Sequence, residues 1–69
     1  MQTIREYVND YANNHNTTRD AIAAKAEIGR SSFYAKLRGA SEFTLPEAYR
    51  LSKVIGCTID ELYSMTVMN

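Results

Sequence analysis

The sequence is poor in the residues that mark several protein classes. Its 69 residues include one cysteine, one proline, three glycines and no tryptophan. A lone cysteine, Cys57, allows neither an intrachain disulfide nor a zinc cluster of cysteines. No apolar run approaches the ~20 residues of a membrane span. The first residues have neither a basic leader nor an apolar stretch, so we expect no secretory signal and a cytoplasmic location.

The rest of the composition is typical of one small globular domain. Hydrophobic residues make up 45% of the chain and charged residues 23%, which is not the composition of a disordered tail. We therefore expect residues 1–69 to form a single domain without repeats or low-complexity segments.

The chain also lacks a net charge, which on its face argues against a nucleic-acid partner. The charges are nevertheless distributed unevenly. Residues 17–39 carry a net charge of +3, whereas residues 1–16 carry −1 and residues 40–69 carry −2. Screening acts over about 8 Å at physiological salt, so local charge decides the surface potential. The middle of the chain can present a positive surface, although an ordinary solvated helix surface explains the same charges.

Apolar periodicity and capping residues predict an all-α chain of five short helices. In the first helix Ile4, Val8 and Ala12 lie on one apolar stripe with Tyr7 and Tyr11. Three threonines are each followed three residues later by a glutamate, the spacing of a capping box at a helix start. These pairs are Thr3 with Glu6, Thr44 with Glu47, and Thr58 with Glu61. The predicted helices span about residues 4–14, 19–26, 30–38, 45–55 and 59–64.

The last two helices are expected to supply apolar residues to the core. In the fourth helix these are Leu45, Ala48, Leu51 and Ile55, and in the fifth Ile59, Leu62 and Tyr63. Residues 65–69 form a tail for which an extended segment and a helix end both fit. The fifth helix and this tail are the expected homodimer surface, through Tyr63, Met65, Val67 and Met68.

The helices at 19–26 and 30–38 have the pattern of a helix-turn-helix. The first has a narrow face formed by Ile22, Ala23 and Ala26, whose alanines let another backbone come close. The second has a polar side formed by Arg30, Ser31, Tyr34 and Arg38. In a helix-turn-helix the second helix enters the major groove of DNA. The planar guanidinium of Arg30 suits a guanine edge, and the serines keep the leading edge of the helix slim.

The same region resembles the phage-repressor (Cro-like) family of helix-turn-helix proteins, over about 45 residues from Thr18 to Tyr63. The segments that carry the resemblance are Arg19-Asp20-Ala21-Ile22-Ala23, Ile28-Gly29-Arg30-Ser31-Ser32-Phe33 and Gly56-Cys57-Thr58-Ile59-Asp60-Glu61-Leu62, with Gly39, Leu45 and Leu51 between them. Residues 32–39 and 41–44 are similar to small regulators from temperate phages of Gram-positive hosts. The chain departs from the family at Glu27, where glycine is usual, and at Lys36, where a large apolar residue is common. At Glu27 we expect either a slightly different turn or a left-handed conformation of this residue. At Lys36 we expect Leu37 to take over the packing.

The resemblance implies a compact five-helix repressor-like fold and two sets of DNA contacts. Base contacts would come from Arg30, Ser31, Ser32 and Tyr34, and phosphate contacts from Thr18, Arg19, Arg38 and Ser41. Arginines and helix N-termini suit phosphate, which agrees with the second set. For Tyr34 a packing role fits as well as a base contact, and the serines also suit an ordinary helix start.

The sequence thus predicts a DNA-binding transcriptional regulator, in particular a phage or prophage repressor. It would bind a palindromic double-stranded operator as a homodimer and block polymerase. The alternative is a protein-interaction module of the same fold, such as an antitoxin or antirepressor, which fits the zero net charge and the acidic last third. We expect neither an enzyme nor a metal or cofactor site, because the only histidine, His15, lies in a polar turn without acidic or cysteine companions.

Overall fold

The computed structural model describes residues 2–67, which form five α-helices and no strand within that range. The helices are α1 (Ile4–Asn14), α2 (Arg19–Lys25), α3 (Arg30–Leu37), α4 (Leu45–Ile55) and α5 (Ile59–Val67). This confirms the predicted all-α class and the number of helices, while α2 and α3 each end one residue earlier than predicted. None of these helices has the length and apolar character needed to cross a lipid bilayer.

All three predicted capping boxes form. In the first box the Thr3 N–H donates to Glu6 Oε1 at 2.8 Å, and Thr3 Oγ1 accepts from the Glu6 N–H at 3.2 Å. The boxes that begin α4 and α5 have the same reciprocal bonds, at distances of 2.8–3.3 Å. Each box satisfies backbone N–H groups that a helix start leaves unpaired, so the sequence sets these three starts locally.

The core lies where α2 packs against α1, α3 and α4, and where α5 packs against α1 and α4. Its largest fully buried side chains are Phe33, Ile4, Ile22, Leu51, Ile55, Leu62 and Val8. Phe33 is fully buried, and its ring meets the edge of Phe43 with ring centroids 6.2 Å apart. The single aromatic side chain that α3 buries is therefore held within the packed interior of the domain.

Two residues expected in the core are exposed instead. Leu45 lies on the apolar stripe of α4 but at the first position of the helix, and it is 72% exposed. Tyr63 in α5 is 68% exposed, beside the buried Leu62. Both line an open groove of about 520 Å³ between the start of α4 and α5. The apolar residues of these two helices therefore continue beyond the core onto the surface of the groove.

The fifth helix is longer than the predicted span of 59–64, since it continues to Val67. Met65 lies three residues after Leu62 on the same side of α5 and is only 7% exposed. Met65 therefore belongs to the core and not to the predicted homodimer surface. The side chain of Val67 and the whole of Met68, which were assigned to the same surface, lie outside the described residues.

Two long polar side chains tie α4 to the helices beside it. Lys36 of α3 pairs with Glu47 of α4, and both side chains are largely shielded from solvent. Arg50 of α4 donates from Nε to the Ala26 carbonyl at 2.7 Å, at the end of α2. These contacts fix the positions of α2 and α3 relative to the same helix.

Several residues between the helices adopt left-handed conformations. Glu27 has φ +58°, so the left-handed conformation is the alternative that this turn adopts. Gly39 and Gly56 follow α3 and α4 with φ +84° and +70°, and Gly56 satisfies the end of α4 by donating its N–H to the Ser52 carbonyl.

Gly56→Ala should lower the free energy of unfolding by about 1 kcal/mol, because an L side chain is strained in the left-handed region. No atom lies within 4 Å of the added Cβ, so backbone strain is the only expected contribution. Urea unfolding of both proteins measures the difference. Gly56→Asn is the matched control and should lose less, since asparagine tolerates this conformation better; an unchanged midpoint in both variants would contradict the assignment.

The Lys36–Glu47 pair should make the fold sensitive to acid. The Lys36 ammonium, followed by the Thr44 backbone N–H, lowers the pKa of the Glu47 carboxyl below its usual 4.5. A lowered folded-state pKa stabilises the fold above the unfolded-state pKa, and this contribution disappears as the pH falls through the folded-state value. Between about pH 5 and pH 3, unfolding free energy should fall more steeply for the wild type than for Glu47→Gln.

Lys36→Met is the matched control for this pH series. It removes the ammonium but keeps an unbranched side chain of similar length, so it should also flatten the pH dependence. Equal slopes in the wild type and in both variants, measured by urea unfolding at each pH, would show that the pair contributes nothing.

Candidate nucleic-acid interface

The turn between α2 and α3 is held by backbone bonds and by one buried side chain. After α2 ends, the Ile28 N–H donates to the Ala23 carbonyl at 2.9 Å and the Glu27 N–H to the Ala24 carbonyl at 3.1 Å. Ile28 is itself buried in the core. Because its backbone bonds and a buried side chain both hold the turn, the direction of α3 relative to α2 is fixed.

The third helix has a buried side and an exposed polar side. Phe33 and Leu37 are buried, while Arg30, Ser31 and Ser32 are exposed. The Arg30 side chain is 75% exposed. Phe33 and Leu37, one helical turn apart, lie on the buried side of α3. Ser31 and Ser32 are turned away from that side, whereas Arg30 is exposed because it is the first residue of the helix. Three of the four predicted base-contact residues, Arg30, Ser31 and Ser32, therefore form the accessible edge at the start of this helix.

Tyr34 lies half-buried beside this edge, at the centre of a small polar cluster. Its hydroxyl donates a hydrogen bond to Asp20 Oδ1, and the Cζ atom of Arg19 lies 5.0 Å from the centre of its ring. Arg30 Nε lies 3.6 Å from the same Asp20 oxygen. We call these four residues, Arg19, Asp20, Arg30 and Tyr34, the α2–α3 cluster.

The hydrogen bond to Asp20, together with partial burial, raises the pKa of the Tyr34 phenol above its usual 10. The phenol therefore keeps its proton at neutral pH. Sequence reasoning did not place Asp20 in this site, because a carboxylate in the first turn of α2 already suits the helix dipole. The available signal was an acidic residue on α2 together with one arginine and one tyrosine, Arg30 and Tyr34, on the polar side of α3.

The predicted phosphate contacts lie before and after α3 in the chain. Thr18 caps α2, since its Oγ1 accepts from the Ala21 N–H at 3.1 Å, and Arg19 follows it over the Tyr34 ring. Arg38 and Ser41 are exposed just after α3. From Arg30 to Arg38 the helix advances about 12 Å. Arg38 makes no side-chain hydrogen bond or ion pair with the rest of residues 2–67.

His15 and Cys57 each pack against other residues of the domain. His15 stacks on Tyr11 with ring centroids 3.9 Å apart, and no group of three or more potential ligands occurs within residues 2–67. Burial raises the pKa of the Cys57 thiol, which favours the unreactive thiol over the thiolate. This half-buried cysteine packs against the core.

No family model, curated protein or solved structure matches this chain. The resemblance to the phage-repressor family therefore rests on the residues quoted above.

Proposed function

We propose that this chain is a sequence-specific double-stranded DNA-binding protein that regulates transcription. The observation that carries the proposal is the exposed polar edge at the start of α3, formed by Arg30, Ser31 and Ser32, on a helix whose Phe33 and Leu37 are buried. The major groove of B-DNA is about 12 Å wide and admits one α-helix. An edge with two small hydroxyl side chains and one long guanidinium fits that space.

The local charge supports the same interface. The segment from residue 17 to residue 39 carries a net charge of +3, although the chain as a whole carries none. Arg30 and Arg38 are exposed at the start and end of α3. Phosphate contacts set the affinity and register of a protein on DNA, while groove-facing side chains set its sequence preference. In this proposal Arg30 acts mainly on bases, and Arg38, with Thr18, Arg19 and Ser41, on phosphates.

A domain of this size has room for few base contacts, because a single module buries only about 600–1,000 Å² on DNA. Two copies on half-sites one helical turn apart would give a palindromic site and useful affinity. We propose that the chain acts as such a homodimer, with the exposed part of α5 around Tyr63 at the contact. Occupation of an operator would then repress transcription by blocking polymerase, as the phage-repressor resemblance implies.

Selection of bound sequences from a random duplex pool, followed by a salt titration, tests this proposal. We expect a palindromic consensus and an affinity that falls linearly on a logarithmic scale with salt, since phosphate contacts release counterions. Negligible duplex affinity even at low salt would contradict the proposal and favour the protein-interaction alternative.

Arg30→Ala should weaken binding to the selected site by about 1–3 kcal/mol and relax the preference at one base pair. The cause is the loss of the guanidinium that would donate two hydrogen bonds to O6 and N7 of a guanine. Fluorescence anisotropy on the selected site and on single-base variants measures both effects. Equal weakening on the selected site and on random DNA would refute a base-reading role for Arg30.

Arg38→Ala should instead weaken binding to all duplexes alike and reduce the salt slope by about one unit. Lys53→Ala is the matched control, because it removes the same charge from an exposed position on α4. This variant should leave both the affinity and the salt slope nearly unchanged. A changed base preference in Arg38→Ala would count against a phosphate contact.

A further inference from the structure

We propose that Asp20 determines which bases Tyr34 can read, because Asp20 accepts the only hydrogen bond that the Tyr34 hydroxyl can donate. Tyr34 then offers DNA only hydrogen-bond acceptors, and so selects adenine or cytosine at the base it meets. Asp20 is thus a positioning residue for specificity and not itself a DNA contact. The inference rests on the proposed function, since it assigns a base preference to one position of the α3 interface.

The first step is that the Tyr34 ring is held from three directions. Its hydroxyl donates to Asp20 Oδ1, the guanidinium of Arg19 lies over one ring face at 5.0 Å, and Phe33 packs beside it with ring centroids 6.3 Å apart. Phe33 is fully buried, so one of these supports belongs to the core. The half-buried side chain therefore presents a fixed outer edge and a fixed hydroxyl oxygen.

The second step counts protons. A phenol has one O–H donor and acceptor lone pairs, whereas an ionised carboxylate only accepts. The proton between Tyr34 and Asp20 must therefore come from the tyrosine, whose pKa is raised by this bond. Arg30 Nε, 3.6 Å from the same carboxylate oxygen, is also a donor and leaves that oxygen its accepting role. The Tyr34 oxygen keeps free lone pairs and no free proton.

The third step is the pattern of groups in the major groove. Adenine presents the N6 amino group and cytosine the N4 amino group, and both can donate to the Tyr34 oxygen. Guanine and thymine present only acceptors, O6 and N7 or O4, which would face the tyrosine lone pairs. In contrast, Arg30 has only donors and suits guanine. The two side chains that share Asp20 therefore read opposite kinds of base edge.

The test measures binding to four duplexes that differ only at the base read by Tyr34. That position is the one at which Tyr34→Phe removes discrimination. The wild type should prefer adenine or cytosine there by about tenfold, the value of one hydrogen bond in a desolvated site. Asp20→Ala frees the phenol to donate or accept, so the preference should shrink to less than about twofold. In a Tyr34→Phe background, Asp20→Ala should have no further effect on it.

Asp20→Asn is the matched control. The amide oxygen can still accept from Tyr34 and Arg30, so the base preference should persist although the negative charge is gone. Thermal unfolding followed by circular dichroism checks that each variant folds; if Asp20→Ala does not, the comparison of Tyr34→Phe with the wild type still tests the preference for an amino group.

The outcomes separate this inference from the proposed function. A preference for guanine or thymine, no position that responds to Tyr34→Phe, or an unchanged preference in folded Asp20→Ala would overturn the role of Asp20 and leave DNA binding intact. If the wild type selects no sequence and binds no duplex, the proposed function fails, and the inference fails with it.

Discussion

The burial of Phe33 and Leu37 is the constraint on which the rest of the molecule depends. These two side chains, one helical turn apart, hold one side of α3 in the core. Ser31 and Ser32 are thereby turned outward, and Arg30 is exposed at the first position of the helix. Rotating α3 would expose the largest buried aromatic ring of the domain, at a cost of several kcal/mol. The rotational setting of the polar edge is therefore as well determined as the core itself.

Polar contacts also hold α2, α3 and α4 in their relative positions. Lys36 and Arg50 connect α4 to α3 and to the end of α2, and Asp20 joins the two helices through Tyr34. As an exposed pair, the last contact contributes little to folding, and its role in the proposed function is in recognition. A surface hydrogen bond can still fix the direction in which a hydroxyl group points its proton. In this way a residue that need not touch DNA can influence what its neighbour recognises.

The local features of the fold could be predicted from the sequence, and the long-range ones could not. The capping boxes depend on residues within a few positions, and their prediction was confirmed. The left-handed conformation of Glu27 was one of the two alternatives that the sequence left open. The exposure of Leu45, the extension of α5 and the Asp20–Tyr34 bond depend on where other helices lie. For the candidate site, sequence reasoning named the outward residues of α3, but it missed the carboxylate that orders them, because Asp20 is 14 residues away from Tyr34.

The most direct test of the central claim is an NMR titration of the ¹⁵N-labelled chain with a duplex selected from a random pool. If α3 lies in the major groove, the backbone amide signals that shift most should belong to residues 30–38 and to the start of α2. Shifts that concentrate instead on the groove near Leu45 and Tyr63, with residues 30–38 unchanged, would contradict the account and move the binding surface to the other side of the domain.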